Sequence, residues 1–219
     1  MKTAVISFSA LLAVIAWATS PATDASDSRS VTTVNGQVEA SEGETYDTLS
    51  TVNGDVRVGR GASAEVAKSV NGEIVLEEDV KVGRVSTVNG SVRIEDGAAV
   101  DHEASTVNGG VHVGKRARVG GDVSSVSGEI ELEGAEVTGK LVTFNGDIDL
   151  SDGSRVLGGI HVKKPKVDSD WSSKQNNPPE VHICSTCVVE GELRFDRPVE
   201  LRVDPGAKIG QVIGDVVRR

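Results

Sequence analysis

Short runs in which apolar and polar residues alternate recur along most of the chain, each beginning at a Gly. Residues 54–58 (GDVRV) and 146–150 (GDIDL) are two examples. Alternation with a period of two predicts β-strands that bury one face, and Val and Ile favour this conformation. Turn residues such as 59–62 (GRGA) follow, and then a second apolar group. C-terminal to Ala18, no apolar stripe with the helical period is long enough for a helix.

The runs belong to a sequence repeat. Seven segments of the form (Ser/Thr)-(Val/Phe)-(Asn/Ser)-Gly follow one another at steps of 18, 18, 18, 19, 19 and 18. A period this short is typical of a solenoid, because helical repeats need about 33 residues. The predicted fold is all-β: a single-stranded parallel β-helix (β-solenoid) with about 18 residues per coil. The segments begin at Thr33, Thr51, Ser69, Thr87, Thr106, Ser125 and Thr143.

Stacked coils place equivalent residues about 4.8 Å apart in columns. The pattern predicts two inward columns, and one coil alone buries too little apolar surface to fold without its neighbours. The first predicted column is Val34, Val52, Val70, Val88, Val107, Val126 and Phe144. The second is Val38, Val56, Ile74, Val92, Val111, Ile130 and Ile148.

An Asn-Gly pair recurs at the same point of six repeats, and Ser127 takes the Asn position in another. We interpret these pairs as structural corners, since Asn and Gly tolerate positive φ and stacked amides can hydrogen-bond along the axis. The alternative is a repeated ladder that binds a ligand. The residues are Asn35, Asn53, Asn71, Asn89, Asn108 and Asn145.

Composition excludes some classes of function. The 219 residues carry 33 Asp and Glu against 23 Lys and Arg, a formal charge of −10, which argues against a nucleic-acid partner. Aromatic residues make up only 3% of the chain, so a base-stacking groove or an aromatic sugar platform is not expected. The sequence contains no G-x-S-x-G, P-loop or dinucleotide fingerprint, and no cofactor is expected.

The repeat resembles two bacterial groups. The (Ser/Thr)-Val-Asn-Gly-x-(Val/Ile)-x-(Val/Ile) units resemble a putative-adhesin repeat domain of bacterial envelope proteins. The turns at residues 58–62 and 94–100 are similar to those of bactofilins, polymer-forming cytoskeletal β-solenoids. The resemblance covers residues 31–162 and, more loosely, 181–214. It implies a right-handed coil that assembles end to end, although bactofilins are cytoplasmic and lack a leader.

A left-handed hexapeptide helix would have the same period of about 18 residues per coil. Val58, Val70 and Val82 fall on a six-residue grid. Val66 and Val85 fall off that grid, and the two longer steps of the repeat would break it. The right-handed form is therefore favoured.

The N-terminus predicts export. Residues 1–18 have Lys2, an apolar run of about 15 residues and Ala16-Trp17-Ala18 at the end, which is typical of a signal peptide. The run is short of the ~20 residues of a membrane-spanning helix, and none is expected in the mature chain. An uncleaved amphipathic or core helix is the alternative. Residues 19–30, rich in Ser, Thr, Ala and Asp, are expected to be a disordered lead-in to a periplasmic, cell-surface or secreted protein.

Three further regions follow the leader. Residues 31–162 are expected to form the solenoid repeats. Residues 163–180 are polar, hold three of the six Pro residues and lack periodicity, so they predict a loop that contains Trp171. Residues 181–219 resume the alternation and are expected to form further coils and a cap.

Cys184 and Cys187 are the only cysteines. Strand and turn residues follow them, whereas a thioredoxin-like site needs a helix that begins at the first Cys. A zinc site would need two more ligands, of which only His182 and His161 are candidates. In an oxidising compartment a local disulfide is the simplest state. Free buried thiols and a metal or redox site remain alternatives.

Acidic residues occupy outward strand positions in two adjacent repeats. Glu129, Glu131, Asp147 and Asp149 predict a carboxylate cluster, either a solvated face, a calcium site or the paired acids of a polysaccharide-cleaving β-helix. His112 and His161 are expected at equivalent exposed positions. Such enzymes build clefts from long loops, whereas these turns are short.

The function that the sequence favours is a non-enzymatic exported scaffold or adhesin-like rod of the bacterial envelope. End-to-end self-association and an envelope protein or glycan are its expected partners. A carbohydrate-active, polysaccharide-lyase-like β-helix enzyme is the alternative.

Overall fold

The structure, a computed structural model, describes residues 29–164 and 178–217. These residues form 24 strands and contain no helix. The strands are β1 Arg29–Thr32, β2 Val38–Ala40, β3 Thr45–Ser50, β4 Val56–Val58, β5 Ser63–Lys68, β6 Ile74–Leu76, β7 Lys81–Ser86, β8 Val92–Ile94, β9 Ala99–Val100, β10 Ala104–Thr106, β11 Val111–Val113, β12 Arg118–Val119, β13 Val123–Ser125, β14 Ile130–Glu133, β15 Glu136–Val137, β16 Leu141–Thr143, β17 Ile148–Ser151, β18 Arg155–Val156, β19 Ile160–Val162, β20 Glu180–Ile183, β21 Val188–Val189, β22 Leu193–Val203, β23 Lys208–Ile209 and β24 Val212–Val217.

The strands form one continuous parallel sheet that coils about ten times, so the predicted β-solenoid is confirmed. Each coil contributes to three ladders. The first ladder follows the Asn-Gly corner and runs from β2 through β4, β6, β8, β11, β14, β17 and β20 to residues 200–203 of β22. The second runs from residues 45–46 of β3 to β23. The third runs from β1 to β24.

The ladders enclose an aliphatic core along the whole solenoid. Val56, Val92 and Ile130 of the first ladder have no exposed surface. Opposite them lie Val119 of the second ladder and Val123 of the third, which are equally buried. The first ladder keeps strict register, since Val92 pairs with Val111 and Val111 with Ile130. The predicted second inward column is therefore confirmed.

The predicted first inward column is wrong. Val34 is 62% exposed, and the Val residues at the same position of the next four coils are each 39% exposed. The preceding Ser or Thr is buried instead, as for Thr87 at 4%. Because successive side chains of an extended segment point to opposite sides, the chain can bury only one of the two. The outward residues that the structure exposes are Val34, Val52, Val70, Val88 and Val107.

Strand bounds differ slightly from the predicted regions. The first coil begins at Arg29, within the predicted lead-in of residues 19–30, and β20 begins at Glu180. The predicted signal peptide, most of that lead-in, residues 165–177 of the polar loop with Trp171, and residues 218–219 lie outside the described residues. In the described part of the chain, no helix has the length and apolarity needed to cross a bilayer.

Candidate functional site

In five of the seven repeats, the Ser or Thr before the corner donates a hydrogen bond to the main chain of the neighbouring coil. Thr87 Oγ1 donates to the main-chain oxygen of Gly72 at 3.0 Å, and Ser125 Oγ donates to Gly109 at 2.9 Å. A buried hydroxyl without a partner would be costly, so this bond explains why a polar residue replaces Val in the interior. The same bond is made by Thr51, Ser69 and Thr106.

The corner Gly is required mainly by close contact between coils. A Cβ atom at Gly90 would lie 2.0 Å from the main-chain oxygen of Gly72, closer than any side chain allows. The corner Asn residues do not use their tolerance of positive φ, since none of them has a positive φ. Most corner Gly positions are therefore fixed by the spacing of the coils, whereas Gly36, with a φ of 116° and no atom within 4 Å of its Cβ position, is favoured by its backbone conformation.

The corner Asn residues form a hydrogen-bonded ladder along the axis. Asn71 Nδ2 donates to Asn53 Oδ1 at 2.8 Å, and Asn89 Nδ2 donates to Asn71 Oδ1 at 2.8 Å. Asn53 and Asn108 continue the ladder at either end, at 3.0 and 2.8 Å. Donors and acceptors in the ladder thus satisfy one another, which supports the corner interpretation over a ligand-binding ladder.

The ladder stops at Ser127, whose short side chain cannot bridge two amides. In the next coil, Asn145 is held from above by Arg197, whose Nη1 lies 2.5 Å from Asn145 Oδ1 and 2.9 Å from the oxygen of Phe144. Arg197 lies inside β22, which passes from the third ladder to the first without an Asn-Gly corner. Burial lowers the pKa of Arg197.

Two histidines flank two carboxylates on the outer surface of the first ladder, in the order His112, Glu131, Asp149 and His182. His112 Nδ1 lies 3.0 Å from Glu131 Oε2. Further along the same column, His182 lies between two acids, with Nδ1 2.8 Å from Asp149 Oδ2 and Nε2 3.4 Å from Asp204 Oδ2. The hydrogen bond that His182 donates to Asp149 is the main cause that raises the pKa of His182, and partial burial opposes it.

The expected equivalence of His112 and His161 is wrong. His161 belongs to β19 in the third ladder, where its Nε2 lies 2.8 Å from Asp196 Oδ2. The residue equivalent to His112 is His182, in the first ladder. Sequence reasoning missed this match because Asp149 and its register partner His182 are 33 positions apart, instead of the usual 18 or 19.

The predicted carboxylate cluster lies on this surface, beside a shallow groove of about 120 Å³. The groove opens where Gly110 leaves a gap in the column between Ser91 and Glu129, and Arg93 and His112 line it. Partial burial of the Glu129 carboxyl raises its pKa, and the carboxylates of three acidic neighbours add to this shift. The neighbours are Glu131, Asp147 and Asp149. Across residues 29–164 and 178–217 no three His, Cys, Asp or Glu side chains are grouped so as to hold a metal ion.

Cys184 and Cys187 are joined by a disulfide across the turn between β20 and β21. Cys187 is 1% exposed and faces the core, whereas Cys184 is half-buried on the outer side of the turn. The two candidate metal ligands near it are engaged elsewhere, His182 with Asp149 and His161 with Asp196.

Comparison with family models, with curated proteins and with solved structures gave no match to this chain.

Proposed function

We propose that this protein is a non-enzymatic, exported structural rod of the bacterial envelope, which acts as a scaffold or in an adhesin-like role. The observation that carries this proposal is the unbroken core column from Val38 to Val181, whose members are at most 1% exposed. Stacked coils spaced ~4.8 Å apart make a rod on the order of 45–50 Å long. Such a rod presents equivalent side chains at regular intervals, which suits multivalent contact with a partner.

Contacts between coils support the idea of a rigid rod. Ion pairs join neighbouring coils on its surface, such as Arg57 with Glu77 at 3.1 Å and Arg84 with Glu103 at 3.0 Å. Single exposed pairs contribute little to stability, but a series of them along with the Asn ladder resists sliding between coils. Export is supported by the leader pattern of residues 1–18.

The two ends of the rod support end-to-end association of the kind that the bactofilin resemblance implies. Among the described residues, β1 and β2 at one end and β23 and β24 at the other pair on one side only. Apolar side chains are exposed at both ends, with Val34 at 62% and Val217 at 47%. Unpaired strand edges can extend the sheet into a second molecule.

Negative-stain microscopy and analytical ultracentrifugation of residues 19–219 test this proposal. We expect rods of uniform width that join end to end as salt screens the net negative charge. Globular particles would refute the rod. A strictly monomeric species at high concentration and high salt would refute assembly and leave a solitary rod.

One observation favours a second candidate, a carbohydrate-active enzyme. The raised pKa of Glu129 beside the groove is the property of a general acid. If this candidate is right, the protein cleaves a glycan when it is incubated with a panel of acidic and neutral polysaccharides, and Glu129→Gln abolishes the cleavage. The control variant Glu39→Gln, on the same ladder but distant from the groove, should retain it. Absence of cleavage across the panel would favour the scaffold.

A further inference from the structure

The Cys184–Cys187 disulfide closes a turn that other coils form without a covalent bond. The nitrogen of Cys187 donates to the oxygen of Cys184 at 3.0 Å. The same bond spans Ser151 and Ser154 at 3.1 Å, and in other coils it joins a buried Ala to the residue three before it. These Ala donors are Ala62, Ala98, Ala117 and Ala207, at 3.0–3.2 Å. The fold therefore does not need the disulfide to make this turn.

The two sulfur atoms lie in different environments. Cys187 occupies the core position that Ala62 and Ala117 occupy in other coils, and it is 1% exposed. Cys184 lies on the outer side, where Ser185 and Thr186 beside it are exposed. Cys184 packs partly against the core, but its Sγ contacts Thr186 in the exposed part of the turn, so Cys184 is the more accessible of the two cysteines. Exchange of a disulfide depends on which sulfur can be attacked.

Polar groups surround the accessible sulfur. The Thr186 hydroxyl lies close to this sulfur, with Thr186 Oγ1 3.3 Å from Cys184 Sγ. The register pair Ile183 with Val203 places Asp204 beside Cys184 on the next coil. Asp149 lies nearby, held 2.8 Å from His182. Two carboxylates, of Asp149 and Asp204, therefore lie near Cys184 against one imidazole, that of His182 between them, so the immediate surroundings are acidic.

We propose that this disulfide is a thiol-exchange site on the side of the rod, through which a partner with a cationic thiol attaches reversibly. The partner's thiolate attacks Cys184 Sγ and forms a new S–S bond. The bond between Cys184 and Cys187 breaks, its electron pair leaves on Cys187 Sγ, and that sulfur takes a proton from water. The partner thiol is oxidised and Cys187 is reduced. After losing its proton, Cys187 can attack Cys184 Sγ, restore the disulfide and release the partner.

The acidic surroundings select the charge of the partner. Carboxylates near the reacting sulfur repel an anionic thiol and attract a cationic one, an effect that salt screens over about 10 Å at 0.1 M. A Cys in a basic segment, or a small aminothiol, therefore fits the site better than an acidic thiol does.

Two single-Cys variants test the assignment of roles. Cys187→Ala retains the accessible sulfur, and Cys184→Ser retains the buried one. Both new residues occur at these turn positions in other coils, as Ala62 and Ser151, so both variants are expected to keep the β-type circular dichroism of the wild type. Incubated with cystamine at pH 8, Cys187→Ala should form a mixed disulfide at least about 10-fold faster than Cys184→Ser, measured by mass spectrometry. Equal rates in the folded state would overturn the proposal.

The wild-type protein tests exchange and charge selectivity. Folded protein is treated with 2-aminoethanethiol or 2-mercaptoethanesulfonate, two small thiols of opposite charge, and the opened thiols are alkylated and counted by mass. Per thiolate at low salt, the aminothiol should react at least about 5-fold faster, and 0.5 M salt should reduce this ratio toward one. Equal rates at low salt would refute the preference for a cationic partner. Opening that occurs only in denaturant would show that the disulfide is a closed structural link and refute the exchange site.

Discussion

Arg197 Nη1 donates a hydrogen bond to the main-chain oxygen of Phe144, 2.9 Å away, and thereby spans two coils of the solenoid. The corner between β19 and β20 lies between them in the stack. At the other end of the corner column, each Asn spans only one coil, as Asn53 does to Asn35. The long guanidinium side chain thus takes over the connecting role of the amides where the regular corner is replaced.

Replacing Arg197 with Met tests this connection. Met keeps an unbranched apolar stem but loses the two hydrogen bonds to Phe144 and Asn145. We expect a loss of about 1–3 kcal/mol in the free energy of unfolding, because the acceptors stay partly buried. Arg194→Met, at a side chain that is 52% exposed, is the matched control and should change stability by less than about 0.5 kcal/mol. Urea unfolding followed by circular dichroism measures both. Equal effects would show that Arg197 is an ordinary surface residue.

The position of Val92 and that of Val88 in one coil allow a direct test of which face is buried. Val92 is fully buried between Ile74 and Val111, so Val92→Asp would bury an unpaired charge and should destabilise the coil by several kcal/mol. Val88 is 39% exposed, so Val88→Asp should leave the thermal transition nearly unchanged. If Val88→Asp were the more damaging of the two, the assignment of inward and outward positions would be reversed.

The sequence predicts the coil period and the strands after each corner because these depend on local alternation, as in residues 54–58. It does not predict which of Thr87 and Val88 points inward. Both residue types favour strands, and hydrophobicity alone places Val inside. Burial of Thr87 depends on the oxygen of Gly72, which is close only once two coils have stacked.

The surface column around His182 shows a second limit. His182 is the register partner of Asp149, but residues 163–179 separate their coils along the sequence. Because the length of this segment breaks the repeat, the spacing of the repeats does not show that the two residues are partners. On the other side the register partner of His182 is Arg202, and Asp204 reaches His182 from two positions further along the following coil. Contacts that depend on an irregular insertion are therefore visible only in three dimensions.

Ser127→Asn should extend the Asn ladder and stabilise the protein. Asn108 Oδ1 is the acceptor at the end of the ladder, and an amide at position 127 would lie one coil above it. One added hydrogen bond is expected to contribute about 0.5–1.5 kcal/mol, a rise of roughly 1–6 °C in Tm. Ser127→Ala, which adds no amide, should bring no increase. Calorimetry compares the two variants, and a lower Tm for Ser127→Asn than for Ser127→Ala would contradict the ladder as a stabilising element.

Stability should fall as pH rises through the titration of His182. The hydrogen bond that His182 donates to Asp149, together with the nearby Asp204, raises the pKa of His182 above the value of about 6.5 expected in the unfolded chain. Since the folded state binds the proton more tightly, this contribution is full below about pH 6.5 and is lost above it, as pH passes the folded pKa. We expect a lower Tm at pH 8 than at pH 6, and a smaller difference in His182→Gln. The control variant His102→Gln, at an exposed His, should keep the wild-type difference in Tm between pH 6 and pH 8. If His182→Gln also kept that difference, His182 would not be the group responsible for the pH dependence.

Removal of one complete coil should leave a shorter folded solenoid. Deleting residues 51–68 joins Ser50 to Ser69, and the register pairs Val38 with Val56 and Val56 with Ile74 show that the flanking coils can then stack directly. The coil of residues 51–68 pairs only with the coils directly before and after it, so the deletion removes no ladder between other coils. A shorter deletion, of residues 51–59, removes β4 and with it one strand of the first ladder. Only residues 60–62 then remain to connect the end of β3, in the third ladder, to the start of β5, in the second ladder. That coil cannot close, and we expect the half-coil deletion to lose the cooperative thermal transition that the full-coil deletion keeps. Loss of the transition in both variants would show that the coils do not act as interchangeable units.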